Sequence, residues 1–150
     1  MDTIVIDSIT DSTPWKFRDE PIVINIENFV GFVYQILEKD TGKSYIGYKK
    51  FWKKVTKQPL KGRKNKRHSK VESDWRTYNS SSNKSGKLLQ KKIKDNPENY
   101  TKTILRLCKS ATELKVWEAK YQIDYYTTGR WNELFNEYIG FRLRIRHGGD

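Results

Sequence analysis

Cysteine is almost absent from this chain: Cys108 is the only one in 150 residues. That excludes a disulfide framework and a zinc site built from several cysteines. Histidine is nearly as scarce, with His68 and His147 the only two. Neither lies in a spacing that makes a two-histidine metal motif. No apolar run approaches the length of about 18 residues that a membrane span needs. The first residues carry Asp2, Asp7 and Asp11 with no basic flank before an apolar stretch, so no secretory leader is expected. A reducing, cytoplasmic setting fits the lone thiol. Acids are also in short supply, with 18 Asp+Glu against 30 Lys+Arg and a net charge of +12.

That charge is unevenly spread. Residues 1–28 hold six acids and two bases, so the positive excess lies beyond them. Residues 49–70 hold eleven Lys/Arg and no acid. A polyanionic partner is the economical reading. The length is that of one domain. Residues 1–28 read as an N-terminal extension, 29–146 as the domain with a basic insertion at 49–70, and 147–150 as a tail.

Phe29 to Leu37 has strand composition. The turn Asp40-Thr41-Gly42-Lys43 and the short strand Ser44 to Tyr48 complete a hairpin. The 49–70 segment, broken by Pro59 and Gly62, is expected to be a mobile basic loop, because like charges repel until an anion neutralises them. Val71, Trp75 and Tyr78 recur at helical spacing. Lys87 to Lys94 reads as a short helix stopped by Pro97, and Tyr100 to Cys108 as a strand. Ser110 with Glu113 has capping-box spacing and opens a helix running to about Tyr125. The whole is a small α/β domain, helices packed on a short sheet.

Three features could carry chemistry. Tyr34 and Tyr45 lie on adjacent hairpin strands, and Gly47 leaves room beside Tyr45. They could equally be a cross-strand aromatic pair. Glu118 lies near the edge of the apolar stripe of its helix, where it could face water or offer an oxygen ligand to a hard cation. Arg76, between Trp75 and Tyr78, could clamp a phosphate through two hydrogen bonds. Cys108 reads as a small buried hydrophobe.

Phe32-Val33-Tyr34, ten residues, and Tyr45-Ile46-Gly47 closely resemble the signature of the GIY-YIG nuclease family, small phage-encoded homing-type members included. Trp117-Glu118-Ala119-Lys120 is similar to that family's metal-binding helix, and Phe135-Asn136 to its late asparagine region. The resemblance implies an α/β fold with a small antiparallel sheet flanked by helices. It implies an endonuclease that hydrolyses phosphodiester bonds in double-stranded DNA, in the cytoplasm of an infected bacterium. Tyr34, as phenolate, would activate water, and Tyr45 would position water or phosphate. Glu118 would hold one Mg²⁺ or Mn²⁺, and Asn136 would orient the site, with Asn132 as its competitor.

Two positions depart from the pattern. Phe32 stands at the family's first glycine, with Gly31 one residue early. Phe51 to Lys57, where the family's arginine is expected, contains none. Arg76 is the expected replacement, with Arg67, Arg63 and Lys49 as alternatives. Duplex contacts are expected from Lys49, Lys50, Lys53, Lys54, Lys61, Arg63, Lys64, Lys66, Arg67 and Lys70. A protein that keeps this fold and binds DNA without cutting it is the alternative function.

Overall fold

A computed structural model describes residues 4–5, 14–17, 20–21 and 23–139. Its strands are β1 (Ile4–Val5), β2 (Trp15–Phe17), β3 (Glu20–Pro21), β4 (Val23–Ile24), β5 (Gly31–Glu38), β6 (Ser44–Lys50), β7 (Trp52–Lys57), β8 (Arg67–Glu72) and β9 (Tyr100–Cys108). Helix α1 spans Lys84–Asp95 and α2 spans Ala111–Thr127. The central sheet has the order β3-β2-β9-β5-β6. It is antiparallel except where β2 runs parallel to β9. β7 and β8 form a separate antiparallel pair, as do β1 and β4.

The β5–β6 hairpin forms where its residues predict. Gly42 takes a positive φ of 73° in the turn, a conformation that costs glycine nothing. Period-two alternation then sorts the side chains. Phe32, Tyr34, Ile36 and Tyr45 enter one core with Trp15, Phe51, Trp75 and the α1 residues Leu89 and Ile93. Val33 and Ile46 enter a second core with Cys108 and Leu114, against which Trp117, Tyr121 and Tyr125 of α2 pack. The sheet is therefore covered by α1 on one face and α2 on the other. Cys108 is fully buried, as a small hydrophobe would be. Ser110 caps α2, its hydroxyl accepting from Glu113 N at 3.1 Å.

Three expectations need correction. The packed unit begins at Trp15, not near Phe29. Trp15 is fully buried, β2 joins the central sheet, and the indole N–H donates to the Trp75 carbonyl at 2.7 Å. The Trp15 ring meets Phe32 edge-on at 5.0 Å, which gives the bulky residue at the family's glycine position a place in the core. Second, residues 49–70 are not an unstructured loop. Lys49 and Lys50 end β6, and β7 and β8 pair over six rungs from Trp52↔Glu72 to Lys57↔Arg67. The lysines sit in water on an exposed ribbon, where solvent screens their repulsion. Third, Val71 lies in β8, and only a single 3₁₀ turn, Trp75–Thr77, follows. The rest of the expected helix is lost because Trp75 is drawn into the core beneath Trp15 and Phe51. Residues 140–150, with Phe141 and the basic tail, lie outside the described residues, as do most of residues 1–13.

Candidate active site

β6 closes one end of the sheet order, and the two faces meet around it at Gly47. Tyr34 and Tyr45 approach from one face, and Glu118 and Gln122 of α2 from the other. Together with Tyr48, Tyr78, Ser81, Asn83 and Asn136 they line a cleft of about 370 Å³. Tyr34 lies directly opposite Gly47 in the β5–β6 register. A Cβ at Gly47 would fall 2.5 Å from Tyr34 Oη and 2.7 Å from Cζ. The glycine is thus required by the tyrosine ring that lies across it.

Tyr34 and Tyr45 stack with ring centroids 6.3 Å apart and an interplanar angle of 22°. Their hydroxyls differ. Tyr45 Oη is 2.6 Å from Ser81 Oγ and accepts from Asn83 Nδ2 at 3.3 Å. Asn83 is also the N-cap of α1, accepting from Gly86 N at 2.8 Å. The start of α1 therefore fixes Tyr45. Tyr34 Oη is buried and makes no hydrogen bond of ordinary geometry. Burial holds its pKa well above the usual tyrosine value, and the charges of Tyr78, Tyr45 and Glu118 and a weak hydrogen bond to the Tyr78 hydroxyl push the same way. A resident Tyr34 phenolate is disfavoured by that environment.

Glu118 makes no ion pair among the described residues. Burial raises its carboxyl to about 7, with the Tyr48 backbone amide working in the opposite direction. Asn136 forms a two-way clamp on the Ile46 peptide. Its Oδ1 accepts from Ile46 N at 2.9 Å and its Nδ2 donates to Ile46 O at 2.8 Å. Gln122 Nε2 donates to the same carbonyl at 3.1 Å. Together they pin β6 one residue before Gly47.

Comparison with known proteins decides the family. Residues 15–142 match the family model described as "Putative endonuclease segE, GIY-YIG domain". The chain belongs to the GIY-YIG family. No curated protein and no solved structure gives a match. The match begins at Trp15, the residue at which the packed core begins. GIY-YIG membership makes the chain a nuclease by family and implies DNA as its substrate.

Of the residues expected from sequence, Tyr34, Tyr45, Glu118 and Asn136 converge on this GIY-YIG cleft. Asn132 does not line it and lies in an exposed 3₁₀ turn. Arg76 does not line it either. Its guanidinium pairs with Glu72 at 3.1 Å and stacks beside Trp75 at 5.6 Å. Among the described residues, Lys49 adjoins the cleft, 4.2 Å over the Tyr78 ring and 2.7 Å from Asp74, and Lys84 lies beside its Asn83 and Asn136. Arg63 and Arg67 stand on the exposed ribbon. Sequence reasoning missed Tyr78, Asn83 and Gln122 as cleft residues, and it left the Ser80 to Ser82 hydroxyls as either ordinary loop residues or phosphate contacts. The signal was weak: Gln122 follows Glu118 by one helical turn, and the Ser80 to Asn83 run reads as a loop or cap.

Proposed function

We propose that this chain is a divalent-metal-dependent endonuclease that hydrolyses phosphodiester bonds in double-stranded DNA. The convergence of Tyr34, Tyr45 and Glu118 at Gly47 carries this reading. Glu118 suits a hard cation such as Mg²⁺ or Mn²⁺. It is a single desolvated carboxylate without a cationic partner, and Mg²⁺ is commonly held by one or two carboxylates plus water and substrate phosphate. No group of three His, Cys, Asp or Glu side chains forms a rival site among the described residues. A bound ion would supply charge stabilisation at the scissile phosphate.

The protein's own groups do the rest. Tyr34, kept neutral by burial, donates its hydroxyl to water or to a phosphate oxygen in place of its contact with Tyr78. Tyr45, fixed by Ser81 and Asn83, holds the opposite side of the same group. Asn136 and Gln122 act through Ile46, holding β6 where Gly47 admits the Tyr34 ring. Lys49 adds positive charge at the cleft rim.

The decisive test is cleavage of supercoiled DNA with Mg²⁺ or Mn²⁺ by the parent chain and by Glu118→Gln. The variant should lose about 10²-fold or more in rate while binding DNA with parental affinity. Full metal-dependent cleavage by Glu118→Gln removes Glu118 from the site. A second reading, a DNA-binding protein that does not cut, draws on one observation: no arginine is among the described residues that line the cleft. Intact DNA binding with no nicking by the parent chain at any concentration of either metal would establish it.

A further inference from the structure

The β7–β8 ribbon contributes little to the core and has no part in the cleft chemistry. All of β8, and Lys53, Lys54, Thr56 and Lys57 of β7, are exposed. Its rungs include two directly opposed like-charge pairs, Lys54↔Lys70 and Lys57↔Arg67. Such pairs destabilise a sheet, and an isolated two-stranded hairpin is marginal to begin with. Strand alternation puts Trp52, Lys54, Thr56, His68, Lys70 and Glu72 on one face. Trp52, Lys54, His68 and Lys70 of that face border a groove of about 870 Å³, whose lining also includes Lys53 and Ser69 from the other face and Lys49, Lys50 and Asp74. Lys49 lies at once in this groove and over Tyr78 of the catalytic cleft, so the two surfaces are continuous.

We propose that the β7–β8 ribbon enters the major groove of B-form DNA and reads base edges there, resting on the reading that DNA is the substrate. A two-stranded ribbon is a body that a major groove about 12 Å wide admits. Six residues of strand extend about 20 Å, enough to follow the groove for several base pairs. On the groove-side face, the Lys54↔Lys70 rung supplies cations for flanking phosphates. The next rung on that face pairs Thr56 with His68. Thr56 Oγ1 and His68 Nδ1 lie 3.2 Å apart, a donor and an acceptor able to exchange each other for base partners. Lys70 stacks on Trp52 at 4.5 Å, which orders the cation at the ribbon base. The deep, narrow major groove of A-form RNA would not admit the same ribbon.

The test is equilibrium binding by full-length Glu118→Gln, which leaves the DNA intact. Three probes of one sequence are compared: a DNA duplex, the same duplex with bulky C5 substituents on its pyrimidines, and duplex RNA. The unmodified duplex should bind at least tenfold more tightly than the other two. A minor-groove ligand should not compete. Thr56→Ala/His68→Ala should lower affinity for the unmodified duplex towards that for the blocked one, with the salt dependence unchanged. Lys54→Ala/Lys70→Ala should weaken binding to every probe and reduce the log–log salt slope by about 2. Equal binding to unmodified and blocked duplexes, or to DNA and RNA, overturns the ribbon's place in the major groove while leaving the nuclease reading intact. Failure to bind any DNA overturns both.

Discussion

Lysine does opposite things in two regions of this molecule. Lys102, on the central strand β9, is fully buried. Its ammonium lies 4.4 Å over the Trp15 ring and donates to Asn79 Oδ1 at 3.0 Å. No carboxylate among the described residues compensates it, and burial pulls its pKa down to about 7. Lys54, Lys57 and Lys70 on the ribbon are exposed to water. The core tolerates one lysine by letting it become neutral. The ribbon accumulates lysines in water, and its backbone pairing carries the cost of their repulsion. The first region is built into the core, and the second faces solvent.

The largest effect that tests this contrast lies at Trp15. Removing its side chain deletes edge-on contacts to Phe32 and Tyr34 and the hydrogen bond to Trp75. Trp15→Ala should cost about 3–5 kcal/mol in denaturant unfolding. Exposed ribbon substitutions such as Lys57→Ala should stay within about 0.5 kcal/mol. A parental unfolding midpoint for Trp15→Ala would show that the segment before Phe29 is an appendage after all.

A smaller effect separates the two kinds of lysine by pH. The folded state holds Lys102 at about 7, below the value of about 10.4 expected in the unfolded chain. Between those values the unfolded state binds more protons, so stability rises with pH across that window and is least below it. The slope contributed by this one group is at most about 1.4 kcal/mol per pH unit. Above about 10 the buried tyrosines Tyr34 and Tyr78, whose pKa values are raised, begin to work the other way. Unfolding followed from pH 7 to 9.5 should therefore show increasing stability, and Lys102→Met should flatten the rise. A slope that persists in Lys102→Met would mean that the lysine is already charged inside the fold.

What the sequence made legible was local. The β5–β6 hairpin, the alternation in β9 and the Ser110 cap each depend on residues close in the chain. So does the facing of Tyr34 and Tyr45, whereas Glu118 was singled out by its resemblance to the family's metal-binding helix, its place near the edge of the apolar stripe leaving a surface role open. The failures were long-range or electrostatic. Trp15 reaches the core through a parallel pairing with β9 nearly ninety residues away in sequence, which no local pattern announces. Arg76 was aimed at the cleft by assuming a helix. The single 3₁₀ turn and the carboxylate of Glu72 turn it elsewhere. The ribbon was hidden because eleven cations in one stretch resemble a chain that cannot pair. Backbone pairing over six rungs outweighs repulsion that water has already weakened.

That last balance gives the smallest effect and the sharpest test. Lys57 faces Arg67 on the rung next to the ribbon's turn. Lys57→Glu converts a repulsive rung into an attractive one. Cross-strand opposite charges contribute about 0.2–1 kcal/mol, and exposed ion pairs fall in the same range. The gain is local, so it belongs in amide hydrogen exchange of β7 and β8 rather than in global unfolding. Exchange there should slow about two- to fivefold while the central sheet is unchanged. DNA affinity should move the opposite way, with the log–log salt slope reduced by about 0.9 for each phosphate no longer neutralised. Stability and binding then trade against each other at a single residue. If exchange slows and affinity is unaffected, the ribbon's charge is not directed at DNA, and its lysines are only a solvated surface.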